Sequence, residues 1–408
     1  MTNAFDDGPN PSQVEPEPLL AGHPAPEPWT QIPDRSLPGQ FPSGSDQPNH
    51  YPQGRYPQVP YPQGQYANGP GYHLQFSPVP ALKAPKPSPM PDGPREYQHM
   101  LRGPRYRWWR PLVGLLLILA IAVPLMVLAF LPVVLAGSVA GIPDPWQWAA
   151  REVIDINNLG PAGFFYVNLT LAALIPTAGW TIWLAHRIRP RFVSSVAGGI
   201  RWRWLLRCVL VVVPLWAVYL GVSVLLDPPS SPRPAQWWLL LVIVVVLTPL
   251  QAAGEEYLFR GWVLQNVGAW FKNPVVALVA GLAVSVVAFA AAHGSADPWI
   301  LGSLGVFAVS AGVVTWRTGG LEAGIAIHSV NNVGIFFVVV LMGGWEGVFV
   351  SGSSSSTPLV FAVDLVVHAV ALYLILRQAK QAKIERRYLP PADHPALAAA
   401  PLESAARV

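Results

Sequence analysis

Charge is what this sequence has least of. Its 26 Lys/Arg and 22 Asp/Glu make up 12% of 408 residues, about half the share usual in a soluble protein, which argues against a large soluble globule. Cysteine is nearly absent as well. Cys208 stands alone, which excludes an intrachain disulfide and any thiolate metal cage. The first thirty residues have neither a basic start nor an apolar core, so a cleaved signal peptide is not expected. No nucleic-acid recognition module is visible, and the basic residues sit at the ends of apolar runs, so no nucleic acid is expected as a partner.

What is present is apolar. Hydrophobic residues make up 52% of the chain, with 17 Trp, and mean hydropathy is +0.37. Several apolar runs approach 20 residues. Such runs must form closed helices in lipid, where unsatisfied backbone groups are costly. Proline does not contradict this, because 23 of the 45 Pro fall within residues 1–100, ahead of the first long run. That segment is rich in Pro, Gly, Gln, Ser and Asp and has too little apolar surface to offset the entropy of ordering, so a disordered tail is expected over 1–100. Within it Tyr51, Tyr56, Tyr61 and Tyr66 recur every five residues among Pro and Gln, a low-complexity segment of polyproline II character. A solvated spacer is one reading of it, and a docking segment for a tail-binding protein partner is the other.

The expected fold is all-α: a polytopic transmembrane bundle of about eight helices. The spans fall near 111–136, 164–185, 205–226, 236–258, 274–293, 299–316, 321–342 and 358–376. The sixth is short and rich in small residues and is read as the one most open to being broken or re-entrant. Arg102, Arg105, Arg107 and Arg110 surround Trp108 and Trp109 before the first span. Arg187 to Arg207 line the loop after the second, and Arg377, Lys380, Lys383, Arg386 and Arg387 follow the last. Basic residues on alternate ends place those ends, and both termini, in the cytoplasm of a cell-membrane protein in contact with lipid. The domains are then a cytoplasmic tail 1–100, a membrane domain 101–376 with its polar motifs within 235–342, and a basic, then Ala/Pro-rich, tail 377–408.

Ionisable side chains inside apolar helices cost at least roughly 2.5 kcal/mol each on insertion scales, so they are functional candidates by default. The fourth span carries Glu255, Glu256 and Arg260 after nearly 20 uncharged residues. Glu256 and Arg260 are four apart and can pair as a scaffold, which leaves Glu255, about 100° around the helix, free to face a cavity. Phe289 and His293 share one face at the end of the fifth span. His328 and Asn332 share one in the seventh, with Asn331 and Glu322 nearby. Asp364 and His368 form a further such pair, read as helix packing in preference to lining the same cavity.

A carboxylate with two histidines in a protected cavity permits two kinds of hydrolysis. In one, Glu255, His293 and His328 hold Zn2+ or another divalent metal that activates water. In the other, Glu255 alone takes the proton from water while a histidine and the Asn332 amide stabilise an oxyanion. The soluble zinc-protease signature HExxH is absent, and the residues alone leave both routes open.

At these residues the chain resembles the CAAX-processing and bacteriocin-processing family of intramembrane proteases, also called the CAAX prenyl protease 2 or abortive-infection family. The family's two glutamates and arginine correspond to Glu255, Glu256 and Arg260, its Phe-x-x-x-His to Phe289 and His293, and its His-x-x-x-Asn/Asp to His328 and Asn332, all in order. The resemblance implies an intramembrane endopeptidase, commonly labelled a metalloprotease, acting on a membrane-associated or lipidated peptide or protein. It also implies catalytic roles for Glu255, Glu256, His293, His328 and Asn332, with Arg260 and Phe289 in support. Members described as glutamate-dependent without an essential metal keep the second route open. A non-catalytic membrane scaffold or bacteriocin-immunity protein is the main alternative, and a transporter a more distant one. One geometric demand follows from straight helices, which would leave Glu255 and His293 at opposite depths. A kink at Pro249, loosening at Gly254 or a partly buried continuation through 261–273 would bring them level.

Overall fold

Among the described residues, four helices begin in the same way, with a side chain capping the first turn and a proline directly after it. Asp144 accepts from the Gln147 amide, Asn273 from Val275 and Val276, Asp297 from Trp299 and Ile300, and Thr357 from Val360. The caps satisfy amides that have no partner inside the helix, and proline has no amide to satisfy.

The structure is a computed structural model that describes residues 87–155, 159–228, 231–345 and 348–391. A short strand β1 (Arg95–Glu96) and a 3-10 turn (Tyr97–His99) lead into α1 (Arg110–Val139), α2 (Pro145–Ile154), α3 (Pro161–Ala172) and α4 (Leu174–His186). Then follow α5 (Arg191–Ser194), α6 (Trp202–Leu226), α7 (Trp237–Val246), α8 (Thr248–Glu256), a π-helical stretch (Tyr257–Val263) and α9 (Leu264–Trp270). The chain continues through α10 (Pro274–Ala292), α11 (Pro298–Thr318), α12 (Glu322–Met342), α13 (Pro358–Gln381) and strand β2 (Arg387–Tyr388).

The all-α membrane bundle is as expected. Seven spans are long and apolar enough to cross a bilayer: α1, the joined α3 and α4, α6, α10, α11, α12 and α13. An eighth is bent by 41° between α7 and the segment Thr248–Trp270. Strand β1 pairs with β2, Arg95 opposite Tyr388 and Glu96 opposite Arg387. The ladder ties the chain ahead of the first span to the chain after the last, so an even number of crossings must separate them. The bent helix, counted as one span, brings the number to eight. Large apolar side chains such as Leu116, Leu119, Val218, Val279 and Val366 point outward along these helices, as a lipid-facing surface requires.

Several sequence expectations change in detail. The sixth span is neither short nor broken; α11 is continuous over 21 residues, with Gly302 facing Phe361 of α13 and Gly312 facing Leu282 of α10. The loop 141–163 contains the amphipathic helix α2. The tail assigned to 1–100 gives way to packed structure before residue 100. Expectations for residues 1–86 and 392–408, including the Tyr/Pro repeat, lie outside the described residues.

Residues 95–102 form a strap across one end of the bundle. Tyr97 is fully buried and its hydroxyl donates to the Val193 carbonyl. Gln98 donates to Pro274 O, His99 Nε2 bonds Phe271 O at 3.1 Å, and Arg102 donates to Ala269 O at 2.6 Å. The strap therefore holds the end of α9 and the turn into α10. Burial pushes the Glu96 carboxyl up, but bonds from Trp316 and Gln98 and the charges of Arg386 and Arg387 outweigh it and hold the group below its ordinary range.

The bend before α8 is where local sequence positions the chemistry. Leu247 separates the two helices, and Pro249 enters the first turn of α8, where a missing amide is tolerated. Thr248 donates to Asn168 Oδ1 at 2.9 Å, anchoring the bend to α3. A Cβ on Gly254 would lie 1.9 Å from the Leu171 carbonyl oxygen, so α8 approaches α3 at a distance only glycine allows. Gly254→Ala is expected to destabilise the protein by about 3 kcal/mol or more. Thermal unfolding in detergent checks this, and an unchanged midpoint would show that α3 can move away.

Candidate active site

The buried charges of α8 and the π-helical stretch meet the polar face of α12. Glu256 and Arg260 have no solvent exposure, His328 has 3% and Glu255 8%. Arg260 Nη1 donates to Glu256 Oε1 at 2.9 Å, the pair expected from their spacing. His328 Nδ1 lies 2.9 Å from the same Glu256 oxygen. An ionised carboxylate only accepts, so Nδ1 carries the hydrogen and the other ring nitrogen, Nε2, is turned toward Glu255, 3.7 Å from its Oε2. Glu256 therefore orients His328 and balances Arg260. A Cβ on Gly324 would come 2.9 Å from Glu256 Oε2, so α12 has a glycine where it passes this carboxylate.

The π-helical stretch carries Arg260 across the rings of α10 and α11. The guanidinium carbon lies 4.5 Å from the Phe289 ring centre and 5.4 Å from that of Phe307, so ring faces supply part of the stabilisation that water cannot give a buried cation. Phe289 stacks on Phe307, and both rings contact His328 at 5.9 and 4.7 Å. Phe289 thus lies against both His328 and the Arg260 guanidinium.

The other acid faces a row of carboxamides. Gln251, one turn before Glu255, donates from Nε2 to Glu255 Oε1 at 2.5 Å. Asn332 Nδ2 donates to Gln251 Oε1, Asn331 Nδ2 to Asn332 Oδ1, and Trp216 Nε1 on α6 to Asn331 Oδ1. Gln251 lay within reach of sequence reasoning, since the four-residue spacing that linked Glu256 to Arg260 also links Gln251 to Glu255. Trp216 gave no such signal, because α6 and α12 meet only in the folded bundle.

His293 ends α10 and is half-buried. Its Nδ1 bonds Phe289 O at 2.8 Å, and its ring lies 4.7 Å from that of Phe289. Since a carbonyl only accepts, Nδ1 is protonated and Nε2 carries the lone pair in the neutral ring. Glu255 and His328 come together directly, whereas His293 reaches them through Phe289. Among the described residues no three His, Cys, Asp or Glu side chains are grouped to hold a metal ion. The donor set as arranged is therefore short of the three protein ligands a catalytic zinc takes.

Three other polar residues, Glu322, Asp364 and His368, have structural roles. Glu322 pairs with Arg201 at 2.7 Å and also accepts from the Arg201 backbone amide, pinning the start of α12 to the start of α6. Asp364 accepts from the Tyr219 hydroxyl, while His368 bonds the Asp364 carbonyl and packs on Trp216 and Phe307, the packing role expected of that pair.

The fold and this site define a helical membrane protein with a buried Glu–His–Asn centre. Residues 234–334, a quarter of the chain, match the sequence model of the type II CAAX prenyl endopeptidase Rce1-like family. The matched segment runs from just before α7 into α12 and contains every residue of the centre. No curated protein and no solved structure matches the chain.

Proposed function

We propose that the protein is an intramembrane endopeptidase that hydrolyses a peptide bond of a membrane-associated or lipidated peptide or protein, with Glu255 as the base that activates water. The observation that carries this reading is the 3.7 Å approach of Glu255 Oε2 to His328 Nε2 inside a site with little solvent exposure. A water donating one hydrogen to each loses the one given to Glu255 as its oxygen attacks the scissile carbonyl carbon. The second Nδ2 hydrogen of Asn332 is left to stabilise the developing oxyanion. Collapse of the tetrahedral adduct breaks the C–N bond, and the proton held by Glu255 passes to the departing amine. His328 positions the water, with Glu256 and Arg260 holding its ring. His293, at the edge of the same aromatic cluster, keeps Nε2 as a lone-pair nitrogen in its neutral ring, its Nδ1 being engaged by Phe289 O.

The same residues have a metal-dependent reading, in which Glu255, His293 and His328 close around Zn2+ or another divalent ion. As they stand the donors do not complete that set, and no step above uses a metal. The location that goes with this function is a multi-pass cell-membrane protein with both termini in the cytoplasm. The β1–β2 ladder supports placing them on one side, and the arginines around α1 and after α13 support the side chosen.

The experiment is cleavage of membrane-anchored and prenylated reporter peptides by purified protein in proteoliposomes. Cleavage is expected, and it is expected to survive treatment with a strong chelator with less than about a twofold loss. Loss of activity that zinc restores would establish the metal-dependent reading. Absence of cleavage for every reporter, with solute-dependent flux instead, would favour a transporter.

A further inference from the structure

We propose that Gln251, Asn331 and Trp216 are positioning residues that assign the two oxygens of Glu255 different tasks, through a hydrogen-bond row whose direction is fixed from Trp216. The inference rests on the reading of Glu255 as the base. Each carboxamide in the row could in principle point either way, but the two ends cannot. An indole N–H only donates, and a carboxylate only accepts. With Trp216 donating to Asn331 Oδ1 and Glu255 Oε1 receiving from Gln251 Nε2, the three amides between must all run in one sense. That is the sense observed: Asn331 donates to Asn332, and Asn332 to Gln251.

The row has two consequences at the reacting atoms. Glu255 Oε1 is engaged by Gln251, so Oε2, the oxygen facing His328, is the one left to bind water. Asn332 is held with its amide nitrogen toward Gln251, so its remaining Nδ2 hydrogen has one orientation to offer an oxyanion. Such rows stiffen as each bond polarises the next, and a fixed base and donor lower the reorganisation needed in the transition state.

Two variants separate direction from mere packing. Gln251→Leu removes the donor at the end of the row. Asn331→Asp keeps size and shape but turns a donor into an acceptor in the middle, away from Glu255, forcing Asn332 and Gln251 to reverse and set an oxygen against Glu255 Oε1. Both are expected to lower kcat by about tenfold or more with KM within about twofold. Trp216→Phe, which releases the fixed end while keeping a ring against His368, is expected to lower kcat by a smaller factor, and returning Asn at 331 restores the full rate. Thermal unfolding of each variant shows that the protein assayed is folded. If Gln251→Leu and Asn331→Asp both fold and turn over at the wild-type kcat, the proposal is overturned. If Asn331→Asp lowers kcat no more than Asn331→Ala, direction plays no part and the proposal is likewise overturned. The underlying reading fails separately, through full activity of a Glu255→Gln variant.

Discussion

Glu255→Gln is expected to lower turnover by about 10³-fold or more while the protein remains folded. The substitution keeps the shape of the side chain. Its amide oxygen can still accept from Gln251 Nε2, the partner of Glu255 Oε1, so the carboxamide row survives. What disappears is the lone pair at Oε2, 3.7 Å from His328 Nε2, which takes the proton from water. Single-turnover cleavage of a reporter in proteoliposomes, alongside thermal unfolding, checks both halves of the expectation. Full turnover by the variant would remove the hydrolytic reading. Biological function that persists in the Glu255→Gln strain but is lost when a span face is altered would instead identify a scaffold or immunity protein.

The second large effect is on stability. Arg260→Leu is expected to cost about 3–5 kcal/mol, because it strands a fully buried carboxylate. Glu256 then keeps only His328 as a partner, and the rings of Phe289 and Phe307 lose the cation lying over them. The double variant Glu256→Gln with Arg260→Leu removes both charges and is expected to recover part of that loss. It is not expected to recover activity, because a neutral amide holds the His328 ring less firmly than a carboxylate. Unfolding midpoints and folded yield for the two singles and the double give the coupling between the charges directly. A wild-type midpoint for Arg260→Leu would show that the pair is dispensable to the fold.

These effects are large for the reason the residues could be picked out at all. In a chain with so little charge, a carboxylate or guanidinium within an apolar helix must have a partner or a task. Glu256 has partners on two sides. Glu255 has an oxygen engaged by an amide and another turned to the histidine. The distinction separates two adjacent acids that composition treats alike.

By itself the sequence determined the solvent, the elements and the list of polar residues inside the bundle. Apolar runs of span length have only the helix available in lipid, so the spans follow from local chemistry. The pairing of Glu256 with Arg260 follows from helical spacing alone. Tertiary structure decided what spacing cannot express. The break at Leu247 and the π-helical stretch set the depth and direction of Glu255 and Arg260, and α12 chose Glu256 as the partner of His328. Trp216, on a helix with no charged residue near its middle, set the sense of the amide row. Each of these depends on which faces of distant helices meet, and in an apolar bundle many faces are chemically alike. Close packing through Gly254 and Gly324, and the few hydrogen bonds made across the helices, select one arrangement among them.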